Sequence, residues 1–415
     1  MNFTHPIFRL RLPFLLATAA AMPMLVGAPA RADMVTDWNQ RAGDIVVASG
    51  LITQPACRVM AISHTAAYEA ANAITRRYPS SAGLRLEAPP GASVEAAIAA
   101  AHRAALLRLL PAQQAAIDGA FKALLGTVPD GPAKEAGVAL GERAAAAVVE
   151  QRGDDGSAAV EAYRPFTTAG RYVPTAIPAT PQWPQRRPWM MTSASQFRPG
   201  PPPELTSERW ARDYNEIKAM GGRRSTQRSV EQTDIARFWI TTLPPVYHGL
   251  VRSVAEQPGR DLTRNARLFA TITQAIDDAM IAVFDAKYHY GFWRPLTAIR
   301  NGDIDGNDAT ERDAAWLPLI DTPMHPEYPC AHCIQAGVMG AVLQAEVGTG
   351  ATPLLRTTSA SANGVARTWN SIDAFVQEVG NARIYDGVHY RFSTEVGIEM
   401  GRRIGSLAVQ RLMAD

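Results

Sequence analysis

Lysine is scarce in this chain. Among 415 residues it occurs only at 122, 134, 218 and 287, so arginine supplies nearly all the positive charge. Cysteine is scarcer still, at Cys57, Cys330 and Cys333. Cys330-Ala-His-Cys333 has no second cysteine pair and no His-x3–5-His, which excludes the common zinc sites. Ile334 in place of histidine excludes a Cys-x-x-Cys-His haem attachment. After residue 32 no apolar run reaches the roughly 18 residues of a spanning helix. Excess charge is lacking too, with a formal net of +2. A near-neutral chain gives no case for nucleic acid or an anionic membrane as partner. Strand patterns are weak, no internal repeat is evident, and alanine is abundant, so the expected fold is all-α.

Residues 1–32 read as a secretory leader. Arg9 and Arg11 precede an apolar stretch from Leu12 to Ala28, and Ala30-Arg-Ala32 matches an A-x-A cleavage site. Export to a periplasm or the medium is expected. Cleavage after Ala32 would remove Arg9, Arg11 and Arg31 and no acid, taking the formal charge from +2 to −1. Residues 33–415 read as one helical domain.

Helical periodicity predicts helices over 35–50, 57–78, 93–110, 113–125, 132–152, 206–220, 225–240 and 247–256. A long helix opens at Asp261 and runs toward Lys287. Others follow from Ile334 to Val347, from Ile372 onward and over 391–413. His64, inside the second helix, reads as a core histidine. Between Pro165 and Pro203 the chain is proline-rich yet carries Trp183, Trp189, Met190 and Met191. A free linker would be more polar, so this is an ordered arm wrapped over the helices, either roofing a pocket or simply covering surface. Asp277, Asp278 and Asp285 interrupt the apolar face of the long helix. They could pair with arginines of a site, and at least one is expected to face solvent. The acidic loop Asp303–Asp308 lacks the glycine and glutamate of an EF-hand loop and reads as a turn.

Three basic clusters fall between Lys287 and His389. Lys287 and Arg294 lie seven residues apart, two turns of a continuous helix, so both would point the same way. Lysine brings a point charge and arginine a fork that grips two oxygens. Pro329-Cys-Ala-His332 precedes an apolar helix, so backbone N–H groups there would face an anion. His332 could act as a general acid, with a pKa near the working range. Arg383-x5-His389 ends a helical stretch, and His389 could be a nucleophile or a metal ligand. Each cluster alone is unremarkable. Together they describe an oxyanion pocket within residues 287–393.

The combination K-x6-R-P, P-x-x-H and R-x5-H resembles the signature shared by vanadium-dependent haloperoxidases and the type 2 phosphatidic acid phosphatase superfamily. Trp38-Asn39, His64–Asn72, Phe197–Pro203, Phe292–Pro295 and Gly387–Phe392 resemble the bacterial haloperoxidase-like branch. The resemblance implies a helical bundle in which Lys287, Arg294, Arg383, Cys330 and the Ala331 backbone hold vanadate or phosphate. It implies that His389 bonds vanadium, or forms a phosphohistidine, and that His332 moves protons. His325 falls near the implied halide site. Three residues depart from the pattern: Cys330 replaces a serine, Ala331 a glycine, and Ser393 the aspartate four residues after the last histidine. Two readings of Cys330 stand: a donor to the anion, or half of a disulfide with Cys333 or Cys57. The implied activity is vanadate-dependent oxidation of halide by hydrogen peroxide. The alternatives are hydrolysis of a phosphomonoester in the same pocket, and oxyanion binding without catalysis.

Overall fold

The computed structural model describes residues 1, 32–165 and 167–414; the leader reading falls outside them except at its two ends. The described residues form thirteen α-helices and one two-stranded ladder. In order the helices are α1 (Met34–Ala48), α2 (Thr53–Thr75), α3 (Val94–Leu109), α4 (Gln114–Leu125), α5 (Pro132–Gln151), α6 (Glu208–Met220) and α7 (Val230–Phe238). They continue as α8 (Pro244–Ala255), α9 (Leu262–Tyr290), α10 (Pro295–Arg300), α11 (Ala331–Val347), α12 (Ile372–Tyr385) and α13 (Arg391–Leu412). The all-α expectation holds. The sequence reading missed the antiparallel hairpin of β1 (Leu355–Thr358) and β2 (Ala366–Trp369), between α11 and α12.

Helix starts follow side-chain caps. Ser229 and Gln232 form a capping box, so α7 begins at Val230 rather than 225. Ser225 instead closes a turn, accepting from the N–H groups of Gln227 and Arg228. Asp261 caps α9 as its spacing implied. α9 is the spine: most of its side chains are buried, and α2, α11 and α13 pack around it. α11 and α13 approach closely because small residues line their contact. A Cβ on Gly401 would sit 2.1 Å from the Ile334 carbonyl oxygen. Alanines on α3 allow the same closeness to α5.

The proline-rich arm is ordered, and aspartates of α9 pin it. Asp277 receives two bonds from Arg186 (2.6 and 2.9 Å) and one from the Trp189 indole (2.8 Å). Asp278 accepts from the backbone N–H groups of Trp189, Met190 and Met191. Asp285 holds Arg198 through two bonds. The expectation that one aspartate faces solvent fails, as does their pairing with site arginines. Asp277 and Asp278 are fully buried, and even the Asp285 side chain is only 12% exposed. A buried carboxylate needs a partner, and here the partner lies some ninety residues earlier in the chain.

His64 is a core residue, as its helix suggested. Its Nε2 and the Nδ1 of His248 both meet the Asn39 amide nitrogen, at 3.0 and 2.8 Å. His102 bonds Ser63 and stacks on Trp38. Burial holds all three rings well below the ordinary imidazole range, His64 at about 3.

Candidate functional site: an arginine- and histidine-lined oxyanion pocket

Lys287 and Arg294 do not share one helix. α9 ends at Gly291, whose φ of 56° is left-handed and favours glycine. The chain then turns, and Arg294 becomes the N-cap of α10, with Pro295 at its first position. Residues 170–172 of the arm bridge this turn, Tyr172 donating to the Gly291 carbonyl and Trp293 to that of Gly170. The turn brings both cations under the loop that precedes α11. Lys287 Nζ donates to the Pro326 and Glu327 carbonyls, each at 2.9 Å. Arg294 donates to the His325 and Val388 carbonyls and to His325 Nδ1, each at 2.9 Å. Its Nη1 lies 3.3 Å from His389 Nε2. Both side chains are sealed behind the cavity wall.

Arg383 arrives from the last turn of α12. Its Nη1 donates to the Trp239 carbonyl at 2.9 Å and lies 2.6 Å from Asp386 Oδ2. Its Nε is buried with no partner. An orphaned guanidinium nitrogen beside two further cations is a place where an anion's oxygen would be stabilised.

His389 sits between α12 and α13. Its Nδ1 lies 2.7 Å from Glu327 Oε1, and the same oxygen accepts the Tyr390 N–H at 3.1 Å. A carboxylate only accepts, so Nδ1 carries the proton and Nε2 keeps its lone pair. That lone pair faces the cations. Ser393 Oγ is 3.5 Å from Nδ1, too far to orient the ring as firmly. Glu327 therefore does the work that the resemblance assigned to an aspartate at 393. Its one weak signal in the sequence is an acid inside the His325–His332 loop. Asp386, within Arg383-x5-His389, is the other unforeseen acid.

A cavity of about 250 Å³ opens over these groups. His325, Ala331, His332, Arg383 and His389 line it, and the arm contributes Ala179. The arm thus forms part of the pocket wall. His332 Nε2 lies 3.2 Å from the Ile240 carbonyl, which makes it a donor there and leaves Nδ1 free to accept a proton. Arginine only donates, so His325 Nδ1 accepts from Arg294 and its proton sits on Nε2.

Cys330 is not an anion donor. Its sulfur is joined to Cys333, so no S–H remains, and its backbone N–H donates to the Ser393 carbonyl. Cys57 is free and buried. The disulfide ties the first turn of α11 on both sides of His332.

Desolvation sets the electrostatics. Burial pushes Lys287 well below the usual ammonium range, helped by neighbouring Arg294, and takes Arg294 down to about 10. Burial raises Glu327 and Asp386 to about 7. His325, His332 and His389 fall well below the ordinary range, through burial first and nearby cations second. The expectation of a His332 pKa near neutrality thus fails, because burial and neighbouring Arg383 lower it. Three basic side chains thus face two acids that burial moves toward their neutral forms. The cluster is short of negative charge, and a bound oxyanion would supply it.

Relatives share this architecture. Residues 267–414 match the sequence model of the VCPO (vanadium chloroperoxidase) second helical-bundle domain. The chain is 30% identical to the vanadium chloroperoxidase of Curvularia inaequalis over 183 residues, which covers 37% of this chain and 29% of that protein. It therefore spans less than a third of that relative's length. A bacterial vanadium-dependent iodoperoxidase superposes with a TM-score of 0.79 at 25% identity, covering 91% of this chain and 96% of that one. An apo-type bacterial vanadium-dependent chloroperoxidase superposes with a TM-score of 0.68 at 17% identity, over 88% and 94% of the two chains. With His332, Arg383 and His389 on one cavity and Lys287 and Arg294 buried behind its wall, residues 267–414 carry the second helical-bundle domain of the vanadium chloroperoxidases, and the chain has the fold of the bacterial vanadium-dependent iodoperoxidase it resembles.

Proposed function

We propose that the protein is a vanadate-dependent peroxidase that oxidises halide with hydrogen peroxide. The observation that carries this reading is His389. Glu327 fixes its proton on Nδ1, and Nε2 offers a lone pair beside Arg383, which lines the pocket, and Lys287 and Arg294, which lie buried behind its wall. That donor set fits a tetrahedral oxyanion with one nitrogen ligand. His389 would be the ligand, and Lys287, Arg294, Arg383 and the Ala331 backbone would surround the oxygens. When bound, vanadate supplies a Lewis acid that activates peroxide.

The remaining chemistry belongs to the chain. His332 Nδ1 is placed to take a proton from peroxide entering the cavity and to return it later. Negative charge in the pocket would raise its pKa. Lys287, held by two carbonyls, keeps a third N–H for the anion. The neutral His325 ring, packed on Phe284 at 5.1 Å, presents an N–H donor suited to a halide. The Cys330–Cys333 disulfide supports the export reading, since such bonds persist in oxidising compartments.

The test is bromination or iodination of a phenolic dye by the purified protein with peroxide, with and without added orthovanadate. Vanadate-dependent turnover is expected. Vanadate binding without turnover would sink the peroxidase reading and leave phosphomonoester hydrolysis or plain oxyanion binding in the same pocket. Turnover that H332A abolishes while vanadate still binds removes the binding-only reading.

A further inference from the structure

A second cavity lies at the opposite end of α9, with a volume of about 590 Å³. Twenty residues of helix separate Arg267 from Lys287, about 30 Å along the axis. The C-terminal end of α2, the first turns of α9 and the ends of α11 and α13 form its walls. Arg267 is its distinctive residue. It is only 8% exposed, its side chain makes no hydrogen bond or ion pair with the described residues, and it lies over the Tyr78 ring at 3.7 Å. Its Nε and Nη1 are shut in without partners, and the side chain lines the cavity.

The neighbouring charges do not neutralise it. Glu346 is taken by Arg260 at 2.6 Å and Arg264 at 2.7 Å, and a second Arg260 nitrogen is buried without a partner. Arg77, on the cavity wall, pairs with Asp261. Among the described residues, four arginines thus share two carboxylates. A buried cation with no partner is costly, and replacing it by an apolar residue is generally neutral or favourable to the fold. An unpaired, nearly buried guanidinium in a cavity large enough for a ligand is what a binding residue would show. Val409, Met413 and Ala345 give the same cavity an apolar side.

We propose that this cavity binds an organic oxyanion, a carboxylate or phosphate monoester carrying a hydrocarbon body. The guanidinium of Arg267, with Arg264 and Arg77 at the wall, would take the anionic head, and the apolar side would take the body. The site is separate from the oxyanion pocket and does not rest on the peroxidase reading.

The experiment is calorimetric titration of the full protein with octanoate and with octyl phosphate, using octanol as the neutral control. The wild type is expected to bind an acid and not octanol. Arg267→Met is expected to weaken that binding about tenfold or more, the weight of a lost charge-assisted bond. It should also melt no lower than the wild type. Inorganic phosphate titrated alongside separates recognition of the head from recognition of the body. Absence of binding by the wild type at millimolar acid overturns the proposal, as does undiminished binding by R267M, which would place the acid in the pocket at His389. Should R267M fail to fold, Arg264→Met, at a more exposed position, is expected to weaken binding in the same direction. Unchanged affinity in R264M would then overturn it.

Discussion

Two trios of buried histidines lie in this molecule, and they differ in what surrounds them. His64, His102 and His248 sit among α1, α2, α3 and α8, beside Trp38 and Phe269, each with one ring nitrogen bonded to Asn39 or Ser63. His325, His332 and His389 sit in the cavity beside Lys287, Arg294 and Arg383. Burial drives all six to the neutral form, so a depressed pKa does not mark a functional histidine. The marks are a carboxylate that fixes a tautomer and cations that lack enough negative charge. Only the second trio has them.

The sharpest way to break the comparison is to remove one ring from each trio. H389A should lower vanadate-dependent turnover by more than about a hundredfold, beyond the ten- to hundredfold usual for losing a ligand's supporting partner. H64L should leave turnover per folded molecule unchanged. Equal losses in steady-state assays would erase the distinction.

Glu327 sharpens it. E327Q keeps the shape but no longer fixes the proton on Nδ1. Vanadate affinity or kcat should fall about 10- to 100-fold, with partial rescue by E327D, while S393A stays near the wild type. A larger loss in S393A than in E327Q would return the orienting role to position 393.

In the core trio the expected effect is on stability alone. Asn39 also accepts from the half-buried Arg252 at 2.7 Å, so N39L strands that group and two buried ring nitrogens. Each orphaned group costs about 1–3 kcal/mol. Urea unfolding should show a loss of that order, with kcat unchanged.

The smallest effect is the pH dependence of stability. Each of the six histidines has a folded pKa below its ordinary 6.5, so its contribution is complete above that value and is lost as pH falls below it. Glu327 and Asp386, raised to about 7, and Asp278, raised to about 6, act oppositely. Their contribution is complete at low pH and is lost as pH rises through those values. Six groups outweigh three, so the vanadate-free protein should be less stable at pH 5 than at pH 7 in denaturant titrations. Removing an opposing group with E327Q should steepen the acid loss. Greater stability at pH 5 would show that the carboxylates dominate.

Much of the site was legible in the sequence because cations at fixed spacings carry their own signal. Lys287, Arg294, His332, Arg383 and His389 do converge on one pocket, yet not for the reason the spacing suggested. Gly291 breaks the helix, and the loop before α11 draws the two cations together. Glu327 was not legible, because only the folding of that loop brings its carboxylate to a ring 62 residues away. Asp277 and Asp278 were misread because periodicity registers a polar residue on a helix without showing the distant arginine or backbone that satisfies it. Cys330 was open between two chemistries until Cys333 was placed beside it. The hairpin escaped because four-residue strands are too short for alternation to stand out.

The most direct test of the account is a crystal structure of the protein soaked in orthovanadate. The account predicts a tetrahedral or trigonal-bipyramidal oxyanion bonded to His389 Nε2, its oxygens within reach of Lys287, Arg294 and Arg383, with Glu327 still on Nδ1. A pocket that stays free of vanadate under saturating conditions, or an oxyanion held without contact to His389, would contradict it.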